Sequence, residues 1–271
     1  MKSAELDRSS IFGMQIHRVT LKQAVSHLHH WILSEERLCR YVVTPNLDHA
    51  VQLQSNATLK DAYGSASLVV ADGWPLVTAS RCFSEPLPER VAGSDLVPGL
   101  FRHLHESKAG GTVYLLGAAP GVADLAAQRI RRQWDRIEIV GTYSPPFGFE
   151  NDPEESKKII EDINRCSPDV LVVGFGAPKQ ELWLKRFHTD LSVGVAIAAG
   201  GTIDFLAGRQ TRAPAWVQKL RMEWSHRLLT NPKRLAGRYL RNAWSLPGLM
   251  LREYFVRRMN PLQRGKNTAS I

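Results

Sequence analysis

Polar side chains follow two short apolar runs near the start of this 271-residue chain. Asp72 ends the run LVVAD, while Thr44 and Asn46 follow the run RYVV. A carboxylate beside apolar backbone can serve as a general base toward a hydroxyl nucleophile, although Asp72 is equally compatible with capping a helix near Pro75. Thr44 and Asn46 are able to hydrogen-bond a sugar, but a structural role in ordering a proline turn is slightly favoured.

Two further motifs supply closely spaced glycines. Gly117 and Gly121 bound the motif GAAPG, which links a strand-like run to a helix-like one and would place amide donors against a phosphate. The motif matches neither a P-loop nor the GxGxxG fingerprint, so it is a weak signal alone. Gly200, Gly201 and Asp204 lie in AAGGTIDF, a second flexible segment suited to a nucleotide.

The run GFGAPKQE adds a cation and an amide at the start of a predicted helix. Gly176 permits close backbone approach, Lys179 suits a phosphate and Gln180 suits a base or sugar, while a plain strand–helix turn is equally compatible. The sequence contains no Asp-x-Asp motif, so we expect no metal ion on a sugar nucleotide and no cofactor. His27 and His30 have ligand-like spacing, but a solvated helix face is favoured over a metal site.

Alternation of apolar runs with helical patterns indicates the fold class. Strands are predicted at 40–44, 67–71, 112–116, 137–141, 169–174 and 193–198. Helices are predicted at 20–35, 47–63, 94–106, 121–134, 153–166 and 179–187, with a loop at 143–149. This order predicts an α/β fold, with a mainly parallel sheet covered by helices on both faces. Ligands bind such sheets beyond the carboxyl ends of the strands, where all of these motifs fall.

The last part of the chain differs in charge and in pattern. Residues 209–271 hold 14 Lys and Arg but two acidic residues, whereas residues 1–208 hold 21 and 24. We therefore divide the chain into an α/β body, 1–208, and a basic helical appendage, 209–271. The appendage predicts a helix at 215–229, a second helix opened by Pro232, and a break at Pro247 and Gly248. The apolar stripes of the appendage are compatible with packing onto the body. Its Trp, Tyr and Arg side chains favour instead an interaction with a membrane surface.

Composition excludes several classes of protein. The three cysteines are widely spaced, which argues against a disulfide framework or a zinc site. The first ten residues lack the apolar core of a signal peptide, and no apolar run approaches the roughly 20 residues that span a bilayer. We expect a cytoplasmic protein that binds peripherally to the inner face of the cytoplasmic membrane.

Taken together, the motifs resemble those of the WecG/TagA/CpsF glycosyltransferases. The similarity rests on TPNLDH, VVADG, RVAGSD, LLGAAPG, VVGFGAPKQE and GGTIDF, together with RAPAWVQKLRMEWSHRLL in the appendage, in this order from about residue 11 to residue 240. The resemblance implies a Rossmann-like body and metal-independent, inverting transfer of a hexose-type sugar from a UDP-sugar to a polyprenyl-diphosphate-linked saccharide. N-acetylmannosamine, its uronic acid and glucose are all compatible as the transferred sugar, and self-association is compatible too.

The resemblance also implies roles for individual residues. Asp72 matches the catalytic base, Thr44 and Asn46 the pair near the sugar, Gln180 the glutamine of PKQE, and Arg90 the arginine of RVAG. In the appendage, three arginines match positions suited to the lipid diphosphate; they are Arg227, Arg234 and Arg238. Trp74, where smaller residues are common, and residues 242–271, which carry no shared motif, depart from the pattern.

Two other classes of function are compatible with parts of the sequence. The pI of 9.7 and the aromatic residues of the appendage fit a nucleic-acid-binding protein, but no nucleic-acid-binding module is present and charge alone gives nonspecific binding. A catalytically silent membrane scaffold would keep the nucleotide fold, but the set of Asp72, Gln180 and arginines argues against it. The glycosyltransferase interpretation is therefore preferred, with no nucleic-acid partner.

Overall fold

A six-stranded parallel sheet forms the centre of the molecule. The computed structural model describes residues 6–83, 86–211, 213–214, 216–217 and 222–259. The strands of this sheet are β3 (Arg40–Val43), β4 (Leu68–Val69), β5 (Gly111–Gly117), β6 (Ile137–Tyr143), β7 (Val170–Gly174) and β8 (Val195–Ala198), in the spatial order β4-β3-β8-β7-β5-β6. All six were predicted from the sequence. A separate antiparallel hairpin joins β1 (Arg8–Ile11) to β2 (Met14–His17).

The strands are apolar throughout because the sheet is buried on both faces. In β3, Tyr41 and Val43 belong to one hydrophobic cluster, while Val42 between them belongs to the other. Successive side chains of a strand point to opposite faces, so an unbroken apolar run fits only a sheet covered on both sides. The strand register supports this arrangement, with Val42 opposite Leu68 in β4 and Ile197 in β8.

Helices cover the two faces in separate sets. One face carries α1 (Leu21–Ile32), α5 (Gly93–Glu106), α6 (Val122–Gln133) and α9 (Thr202–Leu206). The other face carries α2 (Leu47–Leu53), α3 (Ala57–Gly64), α4 (Trp74–Cys82), α7 (Pro153–Cys166), α8 (Lys179–Phe187) and the β1–β2 hairpin. Short 3₁₀ turns occupy Phe149–Asn151 and His188–Asp190. The predicted α/β class with helices on both faces is confirmed.

Several local features of the body differ from the sequence-based prediction, including α9, which was not among the predicted helices. The helix predicted at 47–63 is two helices, because Asn56 leaves the helical conformation and its side chain accepts a hydrogen bond from the Leu59 amide at 2.9 Å, which begins α3. The β1–β2 hairpin was not predicted. Its strands are four residues long and turn through Phe12 and Gly13, both at positive φ.

The appendage contributes two helices to the described part of the chain, α10 (Glu223–Thr230) and α11 (Pro232–Met259). The single helix predicted at 215–229 is wrong, because Met222 is not helical; residues 218–221 lie outside the described residues. Pro232 opens α11 as predicted. No helix within the described ranges is long and apolar enough to cross a membrane.

The predicted break at Pro247 is also wrong, because α11 continues through it. A proline inside a helix removes one backbone hydrogen bond and crowds the carbonyl four residues earlier. Here the residues around it pack onto the body: Leu249 is buried in the core, and Leu246 and Met250 pack against the same cluster. This burial offsets the local cost, so tertiary packing overrides the local signal.

Acidification is expected to destabilise the β1–β2 hairpin through His17. Burial, with a smaller contribution from the Arg8 charge, lowers the pKa of His17 to about 4, and its Nδ1 accepts a hydrogen bond from the Val69 amide at 2.9 Å. The unfolded chain therefore binds a proton first as the pH falls from about 6.5 toward 4, and stability present above this window is lost within it. Between pH 7 and pH 4.5, we expect the free energy of unfolding to fall by about 2 kcal/mol more in the wild type than in His17→Gln.

Urea denaturation at several pH values measures this difference. His30→Gln, which alters an exposed histidine of α1, is the control. Its free energy of unfolding should depend on pH as that of the wild type does. Identical pH dependence in the wild type and His17→Gln would contradict the assignment.

Candidate functional site

The turns that follow β3, β4, β5, β7 and β8 meet at the carboxyl edge of the sheet, as parallel strands require. Neighbouring turns are hydrogen-bonded to one another. The Asp72 amide donates to the carbonyl of Pro45 at 2.7 Å, which joins the β4 turn to the β3 turn. The Ala118 amide donates to the carbonyl of Gly174 at 3.1 Å, which joins the β5 turn to the β7 turn. The polar motifs thus form one contiguous region, named here the carboxyl edge.

Asp72 lies beside a shared arginine and does not cap the next helix. The N-cap of α4 is Gly73, so the capping interpretation of Asp72 is wrong. Its Oδ1 lies 3.5 Å from Nη1 of Arg90, whose Nη2 contacts Asp95 at 2.7 Å and Glu223 at 3.1 Å. The Arg90 side chain is 13% exposed, so these contacts are partly shielded from water. Arg90 therefore connects the candidate base to α5 and, through Glu223, to the appendage.

Thr44 and Asn46 both have structural contacts in the β3 turn. The buried hydroxyl of Thr44 donates to the carbonyl of Ala198 at 3.1 Å, which ties β3 to β8. Asn46 is the N-cap of α2, and its Oδ1 accepts from the Asp48 amide at 2.9 Å. Asn46 also lies against the Asp72 turn, because a Cβ built on Gly73 would be 3.5 Å from the Asn46 Cβ. The turn-ordering interpretation is thus supported, and both residues stand next to Asp72 or the β8 turn.

Gln180 connects the β7 and β8 turns from inside the protein. It is 3% exposed, its Oε1 accepts from the Gly200 amide at 3.1 Å, and its Nε2 donates to Glu181 at 2.9 Å. Gly200 itself has a positive φ of 53°, and Gly201 is the N-cap of α9. The glutamine amide therefore holds the glycine pair that the sequence assigned to the nucleotide.

The remaining glycines also lie in these turns. Gly117 has a φ of 114°, and a Cβ there would approach the Gly174 carbonyl carbon to 2.7 Å, so only glycine fits. Gly121 is the N-cap of α6, and Gly176 accepts from the Gln180 amide at 3.2 Å. Amides at the beginnings of α6 and α8 therefore lie along the carboxyl edge, the arrangement that favours phosphate.

Lys179 and Asp204 lie at the two sides of these turns. Lys179, the first residue of α8, forms an ion pair with Glu150 and stands over the Phe147 ring, with Nζ 4.8 Å from its centroid. The hydrogen bond from Lys179 lowers the pKa of Glu150. Asp204 lies in α9, where its carbonyl accepts from the Arg209 amide at 2.9 Å. In this structure Lys179 is thus paired with a carboxylate.

The appendage reaches the carboxyl edge through Asp48. This carboxylate is 8% exposed and contacts Arg241 Nη2 at 2.7 Å and Arg238 Nε at 3.6 Å. Gln52 Nε2 donates at 2.9 Å to Oδ2, the oxygen that Arg238 contacts. One of the three arginines predicted to bind a lipid diphosphate, Arg238, thus contacts Asp48, which lies two residues after Asn46. Arg227 and Arg234 belong to α10 and α11, but their side chains lie outside the described residues.

Several contacts of this region were not predicted, although the sequence placed Asp48 among the polar residues that follow β3. Asp48 and His49 stand in TPNLDH, and Glu181 in PKQE, so the motifs contained them but their contacts are with distant parts of the chain. Glu223 and Arg241 gave no local signal, because each meets a partner more than 100 residues away. No group of three or more His, Cys, Asp or Glu able to hold a metal ion occurs among the residues the structure describes.

Comparison with known proteins places this α/β fold among glycosyltransferases. The sequence pattern of the Glycosyl transferase WecG/TagA/CpsF family matches residues 9–260. An N-acetylglucosaminyldiphosphoundecaprenol N-acetyl-beta-D-mannosaminyltransferase of Bacillus spizizenii strain W23 is 31% identical over 214 residues, covering 79% of this chain and 80% of that protein. A protein of the same name from Staphylococcus aureus strain NCTC 8325 is 27% identical over 227 residues, covering 83% and 85%. The chain belongs to the WecG/TagA/CpsF family of glycosyltransferases, as the sequence motifs predicted.

Removal of the closer arginine from Asp48 is expected to destabilise the protein. In Arg241→Met the nearly buried carboxylate keeps Gln52 and the longer contact to Arg238, so we expect the free energy of unfolding to fall by about 1–2 kcal/mol. The matched control is Arg252→Met on the same helix, which removes a 2.7 Å bond to exposed Gln54 and should change stability by less than about 0.5 kcal/mol. Urea denaturation compares the two variants, and equal losses would contradict a special role of Asp48.

Proposed function

We propose that this glycosyltransferase moves a hexose-type sugar from a UDP-sugar to a polyprenyl-diphosphate-linked saccharide, with inversion, in the synthesis of a cell-surface polysaccharide. The names of the relatives support the acceptor, since both are described as acting on N-acetylglucosaminyl-diphosphoundecaprenol. N-acetylmannosamine, N-acetylmannosaminuronic acid and glucose are the candidate sugars. The observation that carries the proposal is the position of Asp72 at the carboxyl edge, beside Arg90 and the appendage.

In the proposed reaction, Asp72 removes one proton from the acceptor hydroxyl as its oxygen attacks the anomeric carbon. The bond from that carbon to the UDP oxygen breaks, and its electron pair leaves with UDP. Attack from the face opposite the leaving group inverts the anomeric configuration and needs a single carboxylate acting as base. Arg90 Nη1, 3.5 Å from Asp72 Oδ1, supports this role because the contact holds the orientation of the carboxylate.

The departing UDP needs positive charge, because its terminal phosphate gains negative charge as the bond breaks. Backbone amides at the beginnings of α6 and α8 are suited to this phosphate, and Lys179 would reach it by exchanging Glu150 for the donor. In the appendage, Arg227, Arg234 and Arg238 are proposed to bind the acceptor diphosphate, with Arg238 leaving Asp48 to do so. These cations are proposed to replace a divalent metal ion, consistent with the missing Asp-x-Asp motif.

The proposal predicts that Asp72→Asn abolishes transfer and spares donor binding. We expect kcat to fall by about 10²–10⁴-fold, the usual contribution of a general base, while the Kd for UDP changes less than about threefold. The assay supplies a panel of UDP-sugars and a short polyprenyl-diphosphate saccharide, in the presence of EDTA. Asp95→Asn is the matched control, since it removes another carboxylate from Arg90. The kcat of Asp95→Asn should fall by less than about tenfold. Normal turnover by Asp72→Asn would show that Asp72 is not the base.

A membrane-facing surface on α11 would bring the enzyme to its lipid acceptor. One face of this helix packs on the core, while large apolar side chains on the other side are exposed: Leu240, Trp244, Leu251, Phe255 and Met259. Consecutive members of this set are four or seven positions apart in the chain, which places them on one side of the helix as a single stripe. Arginines of the same helix suit anionic lipid headgroups. The proposed location is thus the inner face of the cytoplasmic membrane.

The double variant Leu240→Gln/Trp244→Gln is expected to weaken binding to vesicles that contain anionic lipid by at least about tenfold, since it removes apolar area from the stripe. Co-sedimentation measures binding, and transfer to a water-soluble acceptor should be unchanged. The control is Leu33→Gln, a change at another exposed leucine, which follows α1 on the opposite face of the sheet. Equal vesicle binding by the double variant and the control would refute this surface.

A further inference from the structure

A wholly buried carboxylate lies beneath the carboxyl edge. Glu181, in the first turn of α8, is 0% exposed, although a buried charge is costly unless it is paired and hydrogen-bonded. Its Oε1 accepts from Gln180 Nε2 at 2.9 Å and lies 3.6 Å from His49 Nε2. A position that needs only packing would be filled more favourably by an apolar residue. The burial of a carboxylate at this position therefore indicates a role beyond packing.

Within the described residues, the Glu181 carboxylate is hydrogen-bonded through one of its two oxygens. Oε2 of Glu181, Nε2 of His49 and the Tyr63 hydroxyl each have no hydrogen-bond partner among the described residues. Burial raises the pKa of Tyr63 well above its usual value, and the Glu181 charge adds to the shift, so the phenol stays protonated. Among the described residues the carboxylate thus has one hydrogen bond, from Gln180 to Oε1, and one longer contact at the same oxygen, from His49 Nε2 at 3.6 Å.

Gln180 and His49 lead from Glu181 to different turns of the site. On one side, Gln180 Oε1 accepts from the Gly200 amide at 3.1 Å, which holds the turn after β8. On the other side, His49 Nδ1 lies 3.1 Å from the Asn46 amide nitrogen and 2.9 Å from Asn46 Oδ1, contacts that hold the turn after β3. The buried contacts therefore run from Asn46 through His49, Glu181 and Gln180 to Gly200. β3 and β8 are adjacent in the sheet, so this chain joins two neighbouring turns from below.

We propose that Glu181, with His49, is a positioning pair that fixes the β3 and β8 turns for the sugar donor. The proposal rests on the transferase function proposed above. Glu181 Oε1 accepts and the Gly200 amide donates, so Gln180 turns its NH₂ toward Glu181 and its oxygen toward Gly200. In this proposal the carboxylate, 3.6 Å from His49 Nε2, draws the imidazole hydrogen to Nε2, so that Nδ1 accepts from the Asn46 amide and does not donate to Asn46 Oδ1. One buried acceptor thereby selects the orientation of an amide and the tautomer of a histidine.

Two substitutions separate this role from simple packing. Glu181→Gln keeps an oxygen at the Oε1 position, so it should lower kcat/KM for the UDP-sugar by less than about threefold. Glu181→Met has similar length and no acceptor, and we expect a loss of about 10- to 100-fold, as for outer partners that orient histidines in metal sites. Its melting temperature is expected to fall modestly, because the buried Gln180 NH₂ loses its acceptor, so kcat/KM is measured at a temperature at which both variants are fully folded. Arg186→Met, at an exposed position of α8, is the control and should match the wild type.

Nuclear magnetic resonance of the His49 ring nitrogens gives a readout that needs neither donor nor acceptor. We expect the Nε2–H tautomer in the wild type and in Glu181→Gln, and a mixture of tautomers in Glu181→Met. This result is independent of transfer, so a failure of the proposed function leaves it standing. Unchanged His49 signals in Glu181→Met would overturn the proposal. So would wild-type kcat/KM in that variant, or a loss of activity that only follows a loss of folded protein.

Discussion

The guanidinium of Arg90 is the interaction on which the arrangement of the site depends. It contacts carboxylates from three separate parts of the chain, Asp72 after β4, Asp95 in α5 and Glu223 in α10, and is largely shielded from water. Partly buried ion pairs of this kind are costly to break, because each lost contact leaves a charge with poor solvation. The orientation of the candidate base is thereby linked to the position of the appendage.

The same principle explains part of the charge asymmetry of the sequence. The body is slightly acidic and residues 209–271 are strongly basic. At the contact between them, Glu223 of the appendage meets Arg90 of the body, while Arg238 and Arg241 of the appendage meet Asp48. The appendage is therefore held at the carboxyl edge by ion pairs as well as by packing. A polyanionic acceptor that entered this region would compete with Asp48 for the same arginines.

Packing of α11 accounts for the rest of the contact with the body. Leu249 is buried in the core, and farther along the helix the Glu253 carboxylate accepts from the Phe12 amide at 3.0 Å. These contacts lie on one side of α11 and leave the stripe that includes Trp244 exposed on another. The sequence left core packing and a membrane surface as alternatives for the appendage. Because α11 has two apolar faces, one of them packs on the core and the other is available to bind a membrane surface.

The sequence predicted the parallel sheet well because its strands are buried on both faces and read as continuous apolar runs, as in β3 and β7. It missed the β1–β2 hairpin, whose strands are short and mixed in polarity. It placed a break at Pro247 because local propensity says nothing of the core contacts of Leu249. At the site, the glycine motifs and Asp72 were selected from their positions after strands, and the structure places them at the carboxyl edge. The partners Glu223 and Glu181 were not selected, because their roles arise from contacts between distant segments.

Transfer in one displacement by a single carboxylate, Asp72, is the claim on which the proposed mechanism rests. The anomeric configuration of the product tests it most directly. With an α-configured UDP-sugar as donor, the one-bond carbon–hydrogen coupling at the new anomeric centre distinguishes the two products. The mechanism predicts a β linkage alone, since the acceptor oxygen attacks opposite the departing UDP. An α-linked product would contradict it, because retention requires a second displacement or attack from the side of the leaving group.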